Sequence, residues 1–120
     1  WQLLRALCGR GGRPDPRRGR DCPGFRALLQ HAADPRIHIK LSAPYRFAPL
    51  DPAPIAAALL QATGPDRLLW GTDWPWTQHE LGRNMTDLWP QAFGIDAAAA
   101  NCMDAAAERL FFRRAPVIAA

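Results

Sequence analysis

Pro65-Asp66-Arg67-Leu68-Leu69-Trp70-Gly71-Thr72-Asp73-Trp74-Pro75 is the stretch whose reading decides the fold. Its centre, Arg67 to Gly71, is a short apolar run between two turn signals, Gly64-Pro65 and Asp73-Trp74-Pro75. Periodicity does not separate a strand from a helix in so short a run. Its shortness and its flanks decide for a strand buried on both faces. Asp73 then stands where that strand ends.

Working upstream, Ile55, Ala58, Leu59 and Ala62 recur at helical spacing. Asp51 is suited to cap that helix, with Pro52 at its first position, and Gly64-Pro65 ends it. Ile37-His38-Ile39-Lys40-Leu41 alternates apolar and polar residues and carries β-branched side chains, which predicts a strand. A proline-punctuated loop from Ser42 to Leu50 follows it. An earlier helix is predicted from Pro23 to about Ala33, with Phe25, Leu28, Leu29 and Ala32 on one face and Asp34-Pro35 as its stop. Downstream, the sequence predicts a helix from about His79, a break at Trp89-Pro90, and an alanine-rich helix from Asp96 to Phe112. Ile95, Ala99, Met103, Leu110 and Phe111 would be the buried face of the last.

Helix, strand, helix, strand, helices is the order of an α/β fold with a parallel sheet and helical crossovers. Two strands alone make a poor parallel sheet, since such strands need neighbours and covering layers. Partner strands outside this chain are therefore expected.

Composition agrees with a globular protein: 48% of the 120 residues are apolar, 22% are charged, and the net charge is +4. Arginine supplies fourteen of the fifteen basic residues, Lys40 being the other. Arg5, Arg10, Arg13, Arg17, Arg18, Arg20 and Arg26 lie in the first quarter of the chain, all but Arg26 within an irregular segment read as residues 1–22. A nucleic-acid footprint has that charge, but no aromatic platform or docking motif accompanies it, so a solvated loop is the preferred reading. Cys8, Cys22 and Cys102 lack metal-like spacing. Their odd number argues against a disulfide framework and fits a cytoplasmic location, with buried or incidental thiols rather than a catalytic one. No run of about eighteen apolar residues predicts a membrane span. The first residues carry neither Met nor a signal-peptide pattern, which predicts a chain cut from something longer.

In α/β folds functional groups collect at the carboxyl ends of the strands. Lys40-Leu41-Ser42-Ala43-Pro44-Tyr45-Arg46 leaves the first strand and Gly71-Thr72-Asp73-Trp74-Pro75 leaves the second. Parallel neighbours end on one edge, so Tyr45 and Arg46 are expected to face the same cleft as Asp73. A carboxylate beside tryptophans and a proline suits a general base acting on water, or a metal ligand. Arginine suits a bidentate grip on an anionic substrate. As residue types alone, these also fit a helix cap and a surface arginine.

The two segments, in this order, resemble the C-terminal part of the amidohydrolase-related (β/α)8-barrel hydrolases, and within them the 2-pyrone-4,6-dicarboxylate lactonase-like branch. Lys40 to Arg46 is similar to one strand end of that branch and Pro65 to Pro75 to the next. Asp104-Ala105-Ala106-Ala107-Glu108-Arg109-Leu110-Phe111 is similar to the helix that closes such barrels. The resemblance implies a partial TIM barrel, its last two βα units plus C-terminal helices, over residues 23–120. It also implies that Asp73, at the end of the eighth strand, ligates a divalent metal such as zinc, or in the lactonase-like branch serves as general base without a tightly bound metal. Arg46 would hold a substrate carboxylate, with Ser42, Tyr45 and Trp74 lining the pocket. The implied reaction is attack of activated water on a small, anionic lactone or amide-type carbonyl.

Departures from the family pattern are specific. No His-x-His pair is present. Leu7-Cys8-Gly9-Arg10-Gly11-Gly12 stands where a histidine-bearing strand is expected, and Trp76 stands where a histidine often follows Trp-Pro. His79 is the nearest histidine; it follows the Asp73 loop, and a place at the site is the less favoured of its two readings. His38 is expected to face a helix layer, and His31 to be solvated at a helix end. Trp70 and Trp89 are expected in the core, Trp74 and Trp76 at the pocket. The reading is thus a hydrolase of this family, against the alternative of a truncated or frameshifted product without catalysis.

Overall fold

A computed structural model describes residues 19–112, except 49, 77, 78, 83 and 86–88. Most of the basic segment at 1–22, and every residue of the departing stretch 7–12, lie outside the described residues.

Three helices and two strands alternate: α1 (Pro23–Ala32), β1 (Ile39–Ser42), α2 (Ala53–Thr63), β2 (Leu68–Gly71) and α3 (Ala97–Phe111). Short 3-10 turns occupy Gly19–Asp21, Pro44–Phe47, Pro65–Arg67 and Pro90–Phe93. The two strands pair in parallel, Ile39 with Leu68, Lys40 with Leu69, Leu41 with Trp70 and Ser42 with Gly71. The fold class is therefore α/β, as the order of elements predicts. Both strands start slightly later than the apolar runs that announce them.

Side chains of paired residues share a sheet face. Ile39, Leu41, Leu68 and Trp70 turn one face toward the helices, where they pack with Phe25, Ala56, Leu59, Phe93, Ile95, Ala100 and Met103. Phe25, Leu59, Leu68, Phe93 and Met103 are the largest side chains fully removed from water. Lys40, Ser42, Leu69 and Gly71 form the other face, on which Lys40 is exposed and Leu69 is buried.

Local chemistry explains the element ends. Asp96 accepts from the Ala99 amide at 2.8 Å and caps α3. Asp51 accepts from the Ala53 amide at 2.9 Å as α2 begins. Gly64, with φ of 72°, ends α2 in a backbone region that glycine occupies without a Cβ clash. Arg67 fastens the layers together: its Nη1 donates to the carbonyls of Ala32 and Asp34 at 2.8 Å and of Ile37 at 3.3 Å.

Several expectations are corrected. The helix predicted from about His79 does not form among the described residues; Gly82 has φ of 71°, and Leu81 and Met85 are exposed, so no apolar face is buried there. In α3 the buried stripe is Ala100, Met103 and Ala106, while Leu110 and Phe111 are exposed. Asp104 bonds Trp70, whereas Arg109 and Leu110 lie beside Asp66, so α3 runs antiparallel to β2 and its last turn overhangs the sheet. Trp89 is half exposed rather than core, and Trp70 is partly buried with its indole N–H donating to Asp104 at 2.7 Å. Cys22 is disulfide-bonded, against the expectation of free thiols, while Cys102 is free and exposed. No helix among the described residues is long and apolar enough to cross a membrane.

Candidate active site at the carboxyl edge of the sheet

Both strands leave the sheet through a residue in the left-handed region. Ala43 follows β1 with φ of 56°, and Asp73 lies two residues past β2 with φ of 58°. Such conformations in residues other than glycine are uncommon, and they collect where surrounding structure fixes a functional side chain. Ala43 turns the chain into the Pro44–Phe47 turn, which presents Tyr45 and Arg46. After Asp73, the cis Trp74-Pro75 bond and Trp76, at φ of 44°, fold the loop back. There the Trp76 amide donates to the Asp73 carbonyl at 3.0 Å and the Trp76 indole to the Thr72 carbonyl at 2.9 Å.

The two turns meet on one carboxylate oxygen. The Tyr45 hydroxyl donates to Asp73 Oδ2 at 3.0 Å, and Arg46 Nε donates to the same oxygen at 3.3 Å. Side-chain exposure is 17% for Arg46 and 26% for Asp73, so this ion pair is partly withdrawn from solvent. Oδ1 of Asp73 carries no hydrogen bond from the described residues. The Arg46 guanidinium carbon lies 5.4 Å from the centre of the Tyr45 ring. Burial, and then the hydrogen bond to the Asp73 carboxylate and its charge, push the Tyr45 hydroxyl above its usual value of 10.0, with Arg46 acting against them. Tyr45 is thereby kept as a neutral donor across ordinary pH.

Of the residues singled out in the sequence, Asp73, Tyr45 and Arg46 come into direct contact. Ser42 is half-buried at the end of β1 and makes no side-chain hydrogen bond among the described residues. Trp74 is 72% exposed. His31 is exposed, as expected at a helix end. His38 is exposed too, just before β1. It borders α3 in a shallow cavity of about 210 Å³ with Asp66, Ala106, Arg109 and Leu110, at the opposite edge of the sheet from Asp73. Sequence reasoning placed Tyr45 only as a pocket liner and Arg46 only as a substrate clamp. Their joint hold on Asp73 had no signal beyond their spacing.

Among the described residues no group of three or more His, Cys, Asp or Glu comes together that could hold a metal ion. Asp73 meets a hydroxyl and a guanidinium where a metal would need further anionic or imidazole ligands. Further ligands for such an ion would have to come from outside the described residues.

Residues 8–113 match the family model described as Amidohydrolase. The chain belongs to the amidohydrolase family. This amidohydrolase chain is also 36% identical, over 69 residues, to a 4-sulfomuconolactone hydrolase from Hydrogenophaga intermedia. That alignment covers 53% of the amidohydrolase chain and 22% of the relative, so the chain spans about a fifth of that enzyme. No solved structure matches the amidohydrolase chain.

Proposed function

We propose that this chain forms one wall of a hydrolytic active site, in which Asp73 activates water for attack on a small carboxylated lactone or related cyclic ester. The observation that carries the reading is the convergence of Tyr45 and Arg46 on Oδ2 of Asp73 at the carboxyl edge of a parallel sheet. Two donors on one oxygen fix the carboxylate plane and leave Oδ1 to accept a proton. Water transfers that proton to Oδ1, and its oxygen adds to the lactone carbonyl. The ring C–O bond then breaks and the departing alkoxide takes the proton back from Oδ1, which regenerates the carboxylate and gives an open-chain hydroxy acid. Arg46, beside the reacting carboxylate, also supplies positive charge for a substrate carboxylate, with Ser42 and Trp74 as further wall residues.

In this reading residues 23–120 are the last two βα units and closing helices of a (β/α)8 barrel of the lactonase-like branch, and residues 1–22 are an irregular approach to it. Parallel pairing, functional groups at the strand ends, and the likeness to a lactone hydrolase support it. A second reading, a truncated or frameshifted piece without catalysis, is favoured by one observation: Trp74, beside Asp73, is 72% exposed.

Hydrolysis of carboxylated and uncarboxylated γ-lactones, followed by ultraviolet absorbance, tests the proposal. Turnover of the carboxylated lactone is expected to fall about 10²- to 10⁴-fold in Asp73→Asn. Arg46→Met is expected to raise KM for the carboxylated lactone more than for the neutral one. Absence of turnover on both lactones by the unaltered chain would leave the non-catalytic reading standing.

A further inference from the structure

The loop that leaves β2 does more than present Asp73. Hydrogen bonds within it, Trp76 amide to Asp73 carbonyl and His79 amide to Trp76 carbonyl at 2.7 Å, carry the chain back toward the Pro44–Phe47 turn. There the imidazole of His79 meets the ring of Tyr45, with centroids 4.9 Å apart and planes at 51°. We infer that His79 is a positioning residue for the site proposed above: its ring holds Tyr45 so that the phenol hydroxyl stays directed at Oδ2 of Asp73.

The physical argument is one of rotation. A tyrosine side chain in a short turn has two torsions to settle, and its hydroxyl reaches a fixed acceptor only over a narrow range of both. Arg46 is the next residue in the turn; its Nε bonds Asp73 of the second loop, but it meets the ring from within the first. His79 belongs to that second loop, six positions beyond Asp73, and touches the ring from there. The carboxylate and the imidazole thus act at the two ends of one phenol, the first taking the hydroxyl and the second the ring. Contact between rings at a tilt is the arrangement aromatic pairs favour. Burial by this contact accords with the upward displacement of the phenol's ionisation.

Tyr45 is the single tyrosine of the sequence, which makes the inference testable without any turnover. The chain is labelled with tyrosine carrying ¹³C at Cζ, whose resonance reports the hydrogen bonding of the hydroxyl. Asp73→Gly, which removes the acceptor, sets the position of the unpartnered phenol. His79→Ala is expected to move the resonance toward that position, and His79→Phe, which keeps a ring without an imidazole, to restore it. If hydrolysis is observed, His79→Ala should lower kcat by roughly two- to tenfold, the range of a lost aromatic pair. The combined His79→Ala/Tyr45→Phe variant should then be no slower than Tyr45→Phe. A Cζ resonance unmoved in His79→Ala, or moved and not restored in His79→Phe, overturns the inference. Failure of the lactone assay with the expected Cζ pattern counts against the proposed reaction alone.

Discussion

At the scale of single residues, the cluster around Asp73 makes a prediction about alkaline pH. The Tyr45 phenol is held above its ordinary ionisation, so the folded chain keeps its proton more tightly than the unfolded chain does. That contribution is complete below pH 10.0, the value of the unfolded phenol, and is lost as pH rises through the folded value. Urea unfolding followed from pH 9 to pH 12 should show a steeper loss of stability for the unaltered chain than for Tyr45→Phe; identical slopes would remove the donor role given to Tyr45. Asp34 behaves with the opposite sign. Its hydrogen bonds from Arg36 lower its ionisation, so its contribution is present above the ordinary carboxylate value and fades in acid. Sequence alone made Asp73, Tyr45 and Arg46 candidates, because residue type and strand-end position are both visible in it. The shared oxygen is not, since it depends on two left-handed residues, Ala43 and Asp73, whose torsions no local pattern encodes. His79 shows the same limit: a contact between two loops is written in neither loop.

At the scale of elements, capping and turn chemistry carried most of the information. Asp51, Gly64 and Asp96 each stand where a helix begins or ends, as their residue types predict. Replacing the cap in Asp96→Ala is expected to cost about 1 kcal/mol, read as a lower urea midpoint with an unchanged slope. Arg67 carries more. Its guanidinium answers three carbonyls at the end of α1 and the approach to β1, and Arg67→Met leaves them partly buried without a donor. A loss of about 2 to 3 kcal/mol is expected, and a loss below about 0.5 kcal/mol would show that water replaces the guanidinium without penalty. The helix expected from His79 failed for a reason legible only afterwards: Leu81 and Met85 have no partner face among the described elements. Periodicity announces a helix, but burial has to stabilise it.

At the scale of the whole molecule, the α/β order of elements was readable because each apolar run is bounded by proline, glycine or aspartate. The extent of the core was not. It consists of one helix-covered sheet face, with alanines such as Ala32, Ala56, Ala100 and Ala106 supplying much of its close packing. A parallel sheet is ordinarily covered on both faces, whereas here Lys40 on the second face is exposed. The chain is therefore expected to unfold over a broad range of urea, with a slope below that of a cooperative domain of its length. Circular dichroism and tryptophan fluorescence should give midpoints that do not coincide. A steep, coincident transition would show that the described core is sufficient by itself. Met103→Ala, at the centre of α3, should lower either transition by about 2 to 5 kcal/mol.

The left-handed backbone at Asp73 has a bearing on how any substitution there is to be interpreted. Asparagine tolerates that torsion nearly as well as aspartate, and glycine adopts it freely, whereas alanine and glutamate resist it. Asp73→Asn therefore isolates the negative charge and Asp73→Gly isolates the side chain. Asp73→Ala, the replacement usually made first, combines loss of the carboxylate with a re-routed loop. A dead alanine variant would be ambiguous evidence for chemistry, and a live one would mean more than a live asparagine.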